Sequence, residues 1–225
     1  MSLLVEAYEN LPEYQPGDDL DLFRAGAESA VAEFRQLVQE RYTEGTLCRI
    51  LGSHPDPRPR RAAVVALGLI GTMTCNPAVA AALKDEDERV REGAGESIWE
   101  VWFRGDGARQ GRELRQAVGL PDTDQRLAAC DDVIRDHPDF AEAYNQRAIQ
   151  HFNRGAYPLS VADCEAVLRL NPYHFGAAAG MGQCYLRMNR PKAAVRAFAH
   201  ALDLNPGLTN LKDVLDSLRD SLGED

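Results

Sequence analysis

The sequence has no excess of basic residues, no long apolar run and few aromatic residues. Its 25 Lys and Arg residues stand against 35 Asp and Glu residues, which gives a formal net charge of −10 at pH 7. Nucleic-acid binding depends on a basic surface that neutralises phosphates, so this charge argues against DNA or RNA as a partner. No apolar run approaches the ~20 residues of a membrane-spanning helix, and the acidic stretch Met1–Glu13 lacks the form of a secretory signal. We therefore expect a cytoplasmic protein that does not enter a membrane.

The sequence also lacks the usual motifs of enzymes and of metal sites. Its five cysteines are odd in number and no two have C-x-x-C spacing, which favours reduced, mostly buried thiols. There is no G-x-x-x-x-G-K-[ST] phosphate loop, no G-x-S-x-G nucleophile elbow and no H-E-x-x-H zinc motif. These absences predict a protein that is not an enzyme and that uses no metal or other cofactor.

The chain does contain a repeat. Pro138, Pro172 and Pro206 are spaced 34 residues apart, and the last two close segments of similar sequence. Within each segment, small and apolar residues recur at offsets of three, four and seven, which is the spacing of one face of an α-helix. A fixed period of 34 residues is typical of a two-helix unit that stacks on copies of itself. The pattern predicts an all-α fold.

The segments resemble the tetratricopeptide repeat (TPR). The positions that carry the resemblance are Tyr144, Ala148, His151, Ser160 and Pro172, and then Ala178, Gly182, Tyr185, Ala194, Phe198 and Pro206. Departures from the pattern are Arg147 in place of Leu, His151 in place of Tyr and Ser160 in place of Ala. The resemblance covers one degenerate and two full repeats, and it implies a right-handed α–α superhelix (solenoid) of helical hairpins.

A shorter repeat precedes these hairpins. Residues 56–68 and 83–94 both read as an acidic turn, an arginine, a run of small residues and a helix. They resemble short HEAT repeats of the phycobilisome-lyase type, a family in which an Asp and an Arg form a ladder between repeats. The resemblance implies that an acidic residue pairs with an arginine of the neighbouring repeat, with these candidates: Asp56 or Asp85 with Arg61 or Arg91.

Together the two resemblances predict four segments. They are an N-terminal arm (1–19), a HEAT-like helical domain (20–106), a TPR domain (107–206) and a C-terminal capping helix (207–225). Both tryptophans, Trp99 and Trp102, lie where the two repeat types meet. We expect them to bury this junction, and an aromatic pocket is the alternative.

Arg147 is a charged residue at a position where the TPR pattern has an apolar one. A buried guanidinium needs a partner. Asp163, on the facing helix of the same repeat, is the first candidate and Asp132 is the second. A ligand carboxylate is the functional alternative.

In TPR proteins the first helix of each hairpin lines a concave face that usually binds peptides. The resemblance implies that this face presents Glu142, Asn145, Gln146, Ile149, Phe152 and Asn153 from one repeat, and Gln183, Leu186 and Arg187 from the next. Asn and Gln can bind a peptide backbone through both a donor and an acceptor. The carboxylate clamp of some TPR proteins is absent, because it needs Lys or Arg paired with Asn one helical turn later. We expect a non-catalytic scaffold or adaptor for a protein or peptide partner.

Two alternatives stay open. One is a structural homo-oligomer, such as a homodimer, whose groove is filled by the arm, the terminal helix or a second copy. The other is an accessory subunit of an enzyme, because HEAT repeats of the lyase type occur in chromophore-attachment enzymes.

Overall fold

The computed structural model describes residues 2–12, 20–105 and 107–223, so residues 13–19 of the predicted arm lie outside the described residues. Within these ranges the chain is all-α, as predicted, and contains no strand. A 3₁₀ turn at Met73–Cys75 accompanies thirteen α-helices in the described chain: α1 (Leu3–Glu9), α2 (Leu20–Arg41), α3 (Glu44–Ser53), α4 (Pro57–Ile70), α5 (Asn76–Ala82), α6 (Glu88–Arg104), α7 (Ala108–Val118), α8 (Thr123–Asp136), α9 (Ala141–Asn153), α10 (Tyr157–Leu170), α11 (Phe175–Arg187), α12 (Pro191–Leu204) and α13 (Thr209–Leu222).

The chain divides into two compact units. Unit 1 comprises Met1–Val101 and unit 2 comprises Trp102–Asp225. The division lies within α6, before the Gly105–Gly107 segment at which the sequence pattern changes. The physical reason is that Phe103 packs against a hydrophobic cluster of unit 2 that contains Leu114 and Phe140.

Unit 1 is held together by close helix contacts. The arm residues Leu4 and Val5 are buried, and α1 packs against α4 and α2. In this unit a Cβ atom on Gly68 would lie 2.5 Å from Ser97 Oγ of α6. The runs of small residues in the HEAT-like pattern therefore allow α4 and α6 to approach one another.

Unit 2 repeats its helices at the predicted period. Helices α9 and α11 both have 13 residues and begin at positions 141 and 175, and α8, α10 and α12 all have 14 residues and begin at 123, 157 and 191. Each of these steps is 34 residues. The turn after the first helix of a hairpin is also repeated, because Gly155 (φ 75°) and Asn189 (φ 56°), 34 positions apart, are both left-handed. Glycine and asparagine tolerate this conformation best.

The hairpins of unit 2 pack in chain order. Helix α10 lies against α9 and α11, and α12 lies against α11 and α13. The final helix covers the last apolar surface with Leu215, which is 3 % exposed, while its other face is exposed. A repeat array needs such a polar-backed helix at its end.

Two glycines of α11 provide a test of this packing. A Cβ on Gly182 would lie 2.3 Å from Phe198 Cε1, whereas a Cβ on Gly180 would be an ordinary 3.8 Å from Cys164 Sγ. Gly182→Ala should lower the free energy of unfolding by about 1–3 kcal/mol through overpacking. Gly180→Ala should raise it by about 0.5–1 kcal/mol, since alanine is the better helix former. Chemical denaturation measures both, and equal effects of the two substitutions would contradict the close contact of α11 with α12.

Candidate peptide-binding surface

An arginine–aspartate ladder joins the repeats of unit 1. Arg60, which is 6 % exposed, donates from Nε and Nη2 to Asp85 at 3.0 and 2.8 Å, and from Nη1 to the carbonyl of His54 at 2.8 Å. Arg61 donates from Nε to Asp87 Oδ1 at 2.8 Å. Asp87 also caps α6, since it accepts the amide of Val90 at 3.1 Å. The buried guanidinium of Arg60 and the half-buried one of Arg61 therefore each have a carboxylate partner, as burial demands.

The partners of this ladder differ from those that the HEAT resemblance implied. Asp56 pairs with neither Arg61 nor Arg91, because its carboxylate caps α4 at the amide of Arg58 (3.0 Å) and binds the Arg58 side chain (2.7 Å). Arg91 donates to the main-chain carbonyl of Asp85 at 2.9 Å and not to its carboxylate. Because the Asp56 carboxylate binds the amide and the side chain of Arg58 at the start of α4, it does not reach an arginine of the next repeat. Sequence reasoning named Arg61 and Arg91 as the candidate arginines and missed Arg60, which binds Asp85.

In unit 2, Arg147 lies between two aspartates. It donates to Asp163 from Nε at 2.9 Å and from Nη2 at 2.6 Å, and from Nη1 to Asp131 at 2.7 Å. The second partner is thus Asp131; Asp132 instead pairs with Arg135. The hydrogen bonds that Arg147 donates to Asp163 raise the pKa of Arg147 above its ordinary value. Arg147 joins the second helices of two consecutive repeats and is committed within the protein.

Two residues expected on the open concave face are instead buried. Glu142 is 1 % exposed and Asn145 is 5 % exposed. The Glu142 carboxylate accepts from Asn145 at 3.0 Å, from Gln146 at 2.7 Å and from His174 Nε2 at 3.0 Å. The amide of Ala177 donates to Nδ1 of His174 at 2.9 Å, so Nε2 carries the hydrogen that Glu142 accepts. These two residues serve the structure and offer nothing to a ligand.

The C-terminal end of α6, which belongs to unit 2, completes this buried network. Trp102 is 1 % exposed and stacks on His174 with ring centroids 4.0 Å apart, and it lies 5.2 Å from the ring of Phe175. A Cβ atom on Gly111 would lie 2.6 Å from the carbonyl oxygen of Phe103, so a glycine there lets the end of α6 lie against α7. The first residues of α9 and α11 are therefore covered from within the chain.

Five other residues predicted for the concave face form a largely exposed surface, which we call the open strip: Ile149, Phe152, Asn153, Gln183 and Arg187. Ile149 is 42 % exposed; Asn153, Gln183 and Arg187 are exposed as well. Phe152 is half-buried, with its ring 5.5 Å from Tyr157 and under the guanidinium of Arg187 at 5.9 Å. The structure thus leaves the later turns of α9 and α11 accessible.

The other two predicted concave residues are only partly available. Gln146 is half-buried and bound to Glu142. Leu186 is half-buried and packs against the cluster of Ala194 and Phe198. Both border the open strip. Gln146 binds Glu142 within α9, and Leu186 packs α11 against α12.

The thiols show no sign of activation. All five cysteines are free, and burial raises the pKa of Cys130 to about 11 and that of Cys164 to about 12. In the described ranges no three His, Cys, Asp or Glu residues are grouped so as to hold a metal ion. None of the described helices has the length and apolar character needed to cross a membrane.

Comparisons with known proteins agree with the two repeat types. A family model for HEAT repeats matches residues 45–131. A TPR repeat-containing protein of Rhizobium etli is 33 % identical over 92 residues, which are 41 % of this chain and 45 % of that protein. The meiotically up-regulated gene 93 protein of Schizosaccharomyces pombe is 31 % identical over 77 residues, 34 % of this chain and 20 % of that protein. The chain thus spans less than half the length of either relative.

Solved TPR structures resemble the chain more distantly. The first TPR of Spaghetti (RPAP3), solved with an HSP90 peptide, has a TM-score of 0.44 and 16 % identity, and the match covers 52 % of this chain and 89 % of that one. TTC0263, a TPR protein of Thermus thermophilus, has a TM-score of 0.39 and 17 % identity, with 88 % and 94 % covered. Repeat period, helix pattern and sequence matches together define the chain as a TPR- and HEAT-like repeat protein, which confirms both resemblances.

The buried Glu142 network predicts a specific sensitivity to an isosteric change. Three donors face its two carboxylate oxygens, and an amide would replace one oxygen by an NH₂ group that opposes a donor. Glu142→Gln should therefore lower the free energy of unfolding by about 1–3 kcal/mol, measured by chemical denaturation. Glu165→Gln, at an exposed carboxylate of α10, should change it little. Equal effects of the two substitutions would show that the network contributes nothing.

The ladder predicts a pH dependence. The hydrogen bonds from Arg61 lower the pKa of Asp87 to about 2. Because the folded pKa lies below the ordinary value of 3.8, the stabilisation is fully present above pH 4 and is lost as the pH falls through 2. Asp87→Asn should therefore be less stable than wild type at pH 6, with a difference that shrinks towards pH 2. Thermal unfolding measures this, with Asp216→Asn in α13 as control; a constant difference would contradict the ion pair.

Proposed function

We propose that the protein is a non-catalytic interaction scaffold that binds an extended peptide segment of a partner protein along the open strip. The observation that carries this proposal is the contrast in exposure along α9 and α11. The end of α6 covers the first turns of α9 and α11, while the later turns of both helices keep apolar and amide side chains exposed. The exposed apolar side chain of Ile149 lies on the same face as the side-chain amides of Asn153 and Gln183, so a partner segment can make apolar contacts and hydrogen bonds there together.

The chemistry of the strip suits an extended backbone. Asn153 and Gln183 are exposed on neighbouring first helices, and each amide can donate to a carbonyl and accept from a backbone N–H. Ile149 and the half-buried ring of Phe152 supply apolar contact between them. An extended segment presents both unpaired backbone groups and alternating side chains, so it can use both kinds of contact.

A cytoplasmic location accords with the cysteines. All five thiols are free, and reduced thiols are the usual state in the cytosol. We propose this location together with the scaffold function.

A homodimer is the second candidate, because α10 exposes large apolar side chains. Leu159 is 55 % exposed and Leu170 is 40 % exposed, and their separation of eleven residues places them on one line of the helix. Tyr173, 37 % exposed, follows in the next turn. Light scattering at increasing protein concentration separates this candidate from a monomeric scaffold.

A random nine-residue peptide library tests the scaffold function. Peptides selected on the wild-type protein should lose at least tenfold in affinity when Ile149→Glu places a charge in the strip, since a buried unpaired charge is strongly unfavourable. Fluorescence anisotropy with the selected peptides gives the dissociation constants. Ile149 is exposed, so the fold should persist, which circular dichroism verifies.

The matched control is Ala128→Glu, which adds the same charge at an exposed position of α8. It should leave the affinity unchanged. If Ile149→Glu and Ala128→Glu bind the selected peptides equally well, the open strip is not the binding surface.

A further inference from the structure

The helices that carry the open strip differ in charge from the rest of the chain. The protein has a net charge of −10, yet α9 and α11 together contain a single carboxylate, Glu142. That carboxylate is 1 % exposed and bound to His174 and two amides. The surface that α9 and α11 present therefore carries no exposed negative charge.

Arg187 is the cation of this surface. Its side chain is exposed, and its guanidinium carbon lies 5.9 Å from the ring centroid of Phe152. Among the described residues it makes no ion pair, whereas Arg60, Arg61 and Arg147 are each bound to aspartates. A guanidinium held over an aromatic ring by a cation–π contact still has N–H groups to donate, and a carboxylate can accept two of them at once.

We propose that the partner segment is acidic, with a side-chain carboxylate of Asp or Glu bound by Arg187 over the ring of Phe152. This inference rests on the proposed function and names its partner class. Gln183 lies one helical turn before Arg187 on the same helix, so it can bind the backbone beside that carboxylate. Ile149 lies one turn before Asn153 on α9 and receives an apolar side chain of the same segment.

The recognised group is a side-chain carboxylate within the segment. The clamp that grips a terminal carboxylate needs Lys or Arg at one position and Asn one helical turn later. At the corresponding positions this chain has a buried Asn145 and then Ile149. Blocking the ends of a peptide should therefore not weaken binding.

Three nine-residue peptide libraries test the proposal. They carry acetylated and amidated ends and are random except for a central Glu, Gln or Lys. The Glu library should contain binders about tenfold tighter than those of the Gln library, the scale of one charge-assisted pair at an exposed site, and the Lys library should contain the weakest. Raising the salt from 50 to 300 mM should reduce the Glu advantage.

Two protein variants assign the effect to one side chain. Arg187→Gln should remove the preference for Glu over Gln and keep the affinity for Gln peptides. Arg196→Gln, which removes an exposed arginine of α12, should preserve the preference. Retention of the preference in Arg187→Gln overturns the assignment.

The remaining outcomes separate this inference from the proposed function. If Glu and Gln peptides bind equally and Ile149→Glu abolishes both, the strip binds peptides but not acidic ones. If no library yields a binder, both proposals fail. If light scattering shows a dimer that Ile149→Glu converts into a monomer, the occupant is a second copy of the chain and the acidic segment is excluded.

Discussion

Each helical hairpin of unit 2 buries its apolar face only by packing against the next hairpin. This constraint requires consecutive hairpins to keep the same length and the same contacts. Within a hairpin the contact is equally close: the ring of Phe198 on α12 occupies the space that a Cβ on Gly182 of α11 would need. Since the helices repeat at steps of 34 residues, equivalent positions of α9 and α11 form rows on one face. The rows exist because the packing is regular, and the open strip contains two of them, Ile149 with Gln183 and Asn153 with Arg187.

Polar contacts then decide which part of the rows stays open. Glu142 and His174, 32 residues apart, join the starts of α9 and α11 through a buried hydrogen bond. Trp102 stacks on the same imidazole. A buried carboxylate is tolerated when it accepts several hydrogen bonds, and Glu142 accepts three. The early turns thus become interior, and the later turns stay accessible.

The arginines illustrate the same division between structure and surface. Arg60, Arg61 and Arg147 bridge consecutive repeats through aspartates and are committed to the fold. Arg187 lies over the ring of Phe152 and is exposed. In a chain of net charge −10, an exposed guanidinium on a face without exposed carboxylates differs in kind from the three that form ion pairs. It is this difference, and not the number of arginines, that points to an acidic partner.

Several features followed from the sequence alone, because they depend on local spacing. Helical periodicity and the 34-residue step defined the hairpins. Asp163 was identifiable as a partner of Arg147 because the two lie on facing helices of one hairpin. The choice between Asp131 and Asp132, or between Asp85 and Asp87, was not identifiable in this way. Asp131 and Asp132 are neighbours on a helix and point about 100° apart, whereas Asp85 and Asp87 lie in the turn before α6. Which carboxylate faces an arginine depends in both cases on how the packed fold places these segments.

The accessible part of the concave face was decided only by the tertiary structure. Periodicity places Glu142, Ile149 and Asn153 on one helix face, and by itself it predicts the same exposure for all three. Their different exposure comes from residues distant in sequence, His174 and Trp102, which cover the first and leave the others open. Local sequence determines which residues share a face, because that depends on backbone geometry within a few turns. Burial depends on what the rest of the chain brings against that face.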